Sequence, residues 1–93
     1  LDIENEILGE LDLLYNTYRN NIIVTDFETQ SAEVARASLE IAMERYRLGS
    51  LSGLEFREYQ RNYLNAINRR LTALYQAKIS EIGLRLLAGE LTE

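Results

Sequence analysis

Proline, cysteine and histidine are all missing from the 93 residues. Without proline nothing in the chain is obliged to break a helix, so long uninterrupted helices become the simplest architecture to specify. Without cysteine there is no disulfide framework, no thiol nucleophile, and no thiol usage from which to infer a redox compartment. Without histidine most nucleophile–base pairs and the commonest zinc ligand are gone, and so is the Glu-x-x-His pattern of a di-metal site in a helical bundle. No apolar run approaches the roughly 20 residues that cross a bilayer as a helix. No glycine-rich phosphate loop follows a strand, because there is no convincing strand. Basic charge is also in deficit, with 10 Lys and Arg against 15 Asp and Glu, a net charge of −5. That balance argues against a nucleic-acid partner, since phosphate binding needs a basic surface. A glutamate-only metal site or a catalytic carboxylate pair is left open on chemistry alone, but a bare hairpin offers no concave pocket to tune either. An enzyme, a cofactor and a bound metal are therefore not expected.

What the chain does have is 46% apolar and 27% charged residues with the two signs mixed, which is not the composition of a disordered segment. A chain this short forms one domain at most and buries a modest core. It starts at Leu1 rather than methionine, and an excised piece of a longer protein is expected. The clearest punctuation is the stretch Leu48-Gly49-Ser50-Leu51-Ser52-Gly53-Leu54. Gly49 suits the left-handed position that closes a helix. Ser52 with Glu55 three residues on has the spacing of a capping box, and Leu51 with Phe56 the spacing of a hydrophobic staple. The expectation is an all-α antiparallel helical hairpin: a helix over about 2–48, a turn at about 49–52 and a helix over about 53–89, ended at Gly89.

Helical periodicity supports both arms. Ile7, Leu11, Leu14 and Tyr18 mark one face of the first helix, and Ala32, Ala35, Leu39, Ala42 and Tyr46 continue such a stripe. In the second helix Leu64, Ile67, Leu71 and Leu74 form one row, and Tyr75, Ile79, Ile82 and Leu86 an adjoining one. That surface is wider than a two-stranded seam requires, so the helix wants neighbours on more than one side. The rival reading is a break near Thr25, where Ile22-Ile23-Val24-Thr25 is β-branched throughout and Thr25 with Glu28 offers a second capping box.

From Ala35 onward the order of features is more specific than any one of them. Ala35, Leu39, Ala42, Arg45, Tyr46, Gly49, Ser52, Leu54, Glu55, Glu58 and Gln60 stand in the order found in the C-terminal helical hairpin of TolC-like outer membrane efflux proteins. The closing Leu86-Leu87-Ala88-Gly89-Glu90-Leu91 is also similar to that family's end. The resemblance covers Ala35 to Leu91 and weakens before it. It implies a segment of the periplasmic α-barrel of a homotrimeric outer membrane exit duct, used in tripartite multidrug efflux or type I secretion. The implied partners are a periplasmic adaptor (membrane fusion) protein at the turn and, through it, an inner membrane pump. Three departures stand out. Neither the pore strands nor the family's other hairpin is in this sequence, Glu replaces the family's usual Asp at positions 55 and 58, and Leu51 replaces a cation that some members use for a closing salt bridge.

The same resemblance suggests site residues. Glu55 and Glu58 would form an acidic ring at the entrance, where threefold symmetry gathers six carboxylates that favour cations. Tyr46 would help hold the entrance closed by hydrogen bonding between protomers, and Leu48, Gly49, Ser50, Leu51 and Ser52 would form the adaptor-docking tip. Each has a plainer reading. Glu55 completes a capping box and suits a helix's first turn. Tyr46 can simply pack on the start of the second helix, and the glycine and serines are what any tight helical hairpin uses. The alternative function is a generic antiparallel coiled-coil interaction module. Taken alone, a hairpin with uncovered apolar faces is expected to self-associate, for example as a non-native antiparallel four-helix dimer.

Overall fold

The computed structural model describes the backbone of residues 2–92 and the side chains of residues 2–89. Two helices account for nearly all of it: α1, Asp2–Arg47, and α2, Gly53–Thr92, packed on each other as an all-α hairpin with no strand among the described residues. The turn therefore occupies 48–52, one residue wider at its start than expected. The second helix also outruns its expected end at Gly89 and continues to Thr92. A glycine ends a helix only when it turns left-handed, and Gly49 is the one described residue with positive φ, at 80°.

The break near Thr25 does not occur. Helix α1 passes through Ile22–Thr25 without interruption. The Thr25 hydroxyl donates to the Asn21 carbonyl at 2.8 Å, one turn back inside the helix, instead of capping a new one. Its side chain is buried, so packing on α2 outweighs the weak local propensity of the β-branched run.

By contact, the chain falls into two compact units, Leu1–Thr25 with Ala73–Glu93, and Asp26–Thr72. In the first, the residues of α1 turned inward are Ile7, Leu11, Leu14, Tyr18, Asn21 and Thr25, and those of α2 are Ala73, Ala77, Ser80, Leu84 and Leu87. A polar bridge crosses this seam, where the Asn21 side-chain amide donates to the Ser80 hydroxyl at 2.6 Å and to the Gln76 carbonyl at 3.4 Å. In the second, Glu28, Ala32, Ala35, Leu39 and Ala42 face Phe56, Tyr59, Tyr63, Ala66 and Arg70. Here Arg69 Nε donates to the mostly buried carboxylate of Glu28 at 3.0 Å.

The inward residues alternate at spacings of four and three, a seven-residue repeat that keeps a left-handed seam between paired helices. The α1 stripes read from the sequence lie on this seam. The α2 rows do not: Leu64, Leu71, Leu74, Tyr75, Ile79, Ile82 and Leu86 are all exposed, and Ile67 is only partly covered. Among the described residues the buried apolar side chains along the helices are alanines, Ala32, Ala42, Ala66, Ala73 and Ala77. A seam of methyl groups lets two helices approach more closely than a leucine-lined one, since interaxial distance follows side-chain size at the contact. The seam thus mixes these alanines with larger side chains such as Leu39 and Tyr63, while the Leu and Ile rows of α2 stay on its outer faces.

Candidate functional site

The turn is built by local hydrogen bonds that its sequence dictates. The Gly49 N–H donates to the Tyr46 carbonyl at 3.0 Å, and the Ser50 N–H reaches back to the Arg45 carbonyl at 2.9 Å. This pair of bonds around a left-handed glycine is the Schellman arrangement, which satisfies the last carbonyls of α1. The Ser50 hydroxyl adds a third bond, donating to the Arg45 carbonyl at 3.1 Å. On the far side Ser52 Oγ accepts from the Glu55 N–H at 3.1 Å, the N-cap bond, and donates to Glu55 Oε1 at 3.2 Å, which ties the two side chains together. Leu51, between the two motifs, is buried.

The aromatic rings on either side of the turn close it from the flank. Tyr46 and Phe56 stack with centroids 4.8 Å apart and planes 4° from parallel. Tyr46 thus takes the local role, packing on the first turn of α2, while about half of its surface stays open. A shallow groove of about 400 Å³ beside this stack is lined by Tyr46, Gly53, Leu54, Phe56, Arg57 and Gln60. A smaller one of about 220 Å³ lies among Ser38, Ile41, Ala42, Arg45 and Tyr59.

The expected site residues separate into three groups. Gly49, Ser50, Ser52 and Glu55 are occupied in shaping the turn. Leu51, expected at the docking tip and as the staple residue before the cap, is buried with 7% of its surface exposed, as a staple requires. Leu48 and Glu58 point outward, Leu48 with 73% exposure and Glu58 in a surface pair with Arg61 at 3.4 Å. A pair this exposed contributes little, so nothing in the fold itself requires Glu58. Leu54, beside the turn, was not among the expected site residues. It is 73% exposed on the first turn of α2, and its position one residue after the helix start was the available signal. No group of three or more acidic residues among the described residues is placed to hold a metal ion.

No family model matches this chain, and no curated protein or solved structure matches it either. The functional reading therefore rests on the geometry and on the order of residues from Ala35 to Leu91.

Proposed function

We propose that the chain is a wall segment of a trimeric outer membrane exit duct for tripartite efflux or type I secretion, with the turn as its periplasmic entrance and adaptor-docking tip. The observation that carries this reading is the placement of bulk. Ala32, Ala42, Ala66, Ala73 and Ala77 are buried in the seam, whereas Phe27, Val34, Ile41, Leu64 and Leu71 are all more than half exposed. An isolated soluble module gains nothing from that distribution, because a buried methyl contributes about 0.8 kcal/mol and a buried leucine about 1.5–3 kcal/mol. A wall element covered on both sides by further helices gains from it directly. No described helix is long and apolar enough to cross a membrane.

On this reading the segment is passive. The pump supplies the energy, the adaptor engages Leu48 and Leu54, and the hairpin ends splay to widen the entrance. Glu58, which the fold does not otherwise need, joins Glu55 in an acidic ring that favours cations. Tyr46, already stacked on Phe56, has its outward half available to a neighbouring protomer.

Calorimetric titration of the chain with the helical hairpin of a periplasmic adaptor protein tests the proposal. Leu48→Asp and Leu54→Asp are expected to weaken binding at least tenfold, and Gln30→Ala, on the exposed surface of α1, to leave it unchanged. Absence of binding, or binding indifferent to Leu48 and Leu54, would favour the generic coiled-coil module.

A further inference from the structure

We propose that the groove beside the Tyr46–Phe56 stack receives an acidic segment of a partner protein, which seats an apolar side chain against Tyr46 and Leu54 and lays a carboxylate on Arg57. The inference rests on the reading of the turn as a docking tip and adds the chemistry of what docks there. The groove combines an apolar wall with one cation. Tyr46, Leu54 and Phe56 supply the wall, and about half of Tyr46 and 73% of Leu54 are open to solvent. Arg57 and Gln60 supply the polar groups. Aromatic rings and arginine are the side chains that most often anchor protein interfaces. A small molecule needs a cleft that buries most of its surface, which a shallow groove on the flank of two helices does not provide. A side chain delivered by a larger partner needs only the wall.

Charge decides the sign of that partner. Residues 44–61 hold four arginines against three glutamates, a balance of +1, whereas the rest of the chain holds six cations against twelve acids, a balance of −6. The glutamates of this stretch are all engaged. Glu44 pairs with Arg47 at 3.7 Å, Glu58 pairs with Arg61 at 3.4 Å, and Glu55 is tied to Ser52 in the cap. Neither Glu55 nor Glu58 lines the groove. The guanidinium groups of Arg45 and Arg57 have no ion pair or hydrogen bond among the described residues. A carboxylate arriving at Arg57 therefore meets a cation that it does not have to take from an existing pair, and a basic segment meets like charge. Arg45, which lines the smaller groove with Tyr59, adds a second free positive charge beside the turn.

Nuclear magnetic resonance titration of the 93-residue chain with two short helical peptides of the same leucine pattern, one flanked by glutamates and its twin by lysines, tests this. The acidic peptide is expected to shift the amide signals of Gly53, Leu54, Phe56 and Arg57 with at least tenfold higher affinity than its twin, and less tightly as salt is raised. Arg57→Glu should abolish that preference. Arg19→Glu, which reverses another exposed arginine on α1 well before the turn, should keep it. Equal affinity for the twins, a preference that survives Arg57→Glu, or the same shifts from inorganic phosphate alone overturns the proposal. Adaptor binding undiminished by Arg57→Glu would also sink it while leaving the docking tip standing. An acidic preference at the groove in a chain that binds no adaptor would keep the groove and remove the exit-duct reading.

Discussion

At the scale of single residues, the turn depends most on Gly49. Its φ of 80° lies where a side chain crowds the following carbonyl, and nothing stands within 4 Å of an added Cβ, so the strain is purely a matter of backbone conformation. Gly49→Ala is expected to destabilise the chain by about 1–2 kcal/mol and Gly49→Asn by less, since asparagine tolerates the left-handed region better. Urea denaturation at one fixed protein concentration measures both, and equal losses would mean that the backbone there relaxes. This residue was legible from the sequence, as were Ser52 and Glu55, because capping chemistry is local and depends on residues three or fewer positions apart. Leu51 carried two readings, staple and docking tip, and its burial agrees with the staple, which is again a local pattern, between residues five positions apart.

At the scale of the element, α1 could be read and α2 could not. The α1 seam holds Ile7, Leu11, Leu14 and Leu39, so a search for large apolar residues at helical spacing finds it. The middle of the α2 seam holds Ala66, Arg70, Ala73, Ala77 and Ser80, less apolar than the outer row of Leu64, Leu71 and Leu74, and there the same search selects the wrong face. At Ile22–Thr25 the weak local propensity supported only the rival reading of a break, and the expected continuous helix is what forms, with Thr25 at a seam position. Arg70 shows what the chosen seam costs. Its Nε is shielded from solvent with no hydrogen-bond partner, and an unmet buried donor costs about 1–3 kcal/mol. Arg70→Met keeps an unbranched chain and removes that donor, so it is expected to raise stability by about 1 kcal/mol or more, read from the urea midpoint at fixed concentration. A loss of stability instead would mean that the arginine stem, not its head, is what the seam requires.

At the scale of the whole molecule, the question is what a hairpin gains by keeping its smallest residues inside. The alanine seam alone gives a modest hydrophobic return against the conformational entropy of ordering two long helices. On the proposed reading, covering the surfaces that a single copy leaves bare adds stability, since anything that binds only the folded state stabilises it in proportion to the logarithm of its concentration. The melting temperature of the chain is therefore expected to rise with protein concentration. Each tenfold increase above the dissociation constant should contribute on the order of 1 kcal/mol, which for a domain of this size is several degrees. Replacing Phe27, Val34, Ile41, Leu64 and Leu71 together by glutamine should make the melting temperature independent of concentration. Helix content at low temperature should survive, because every one of these side chains is exposed and none belongs to the seam. A parent chain whose melting temperature is the same at every concentration would mean that the alanine seam suffices by itself, and the exposed rows would then need another explanation than lateral neighbours.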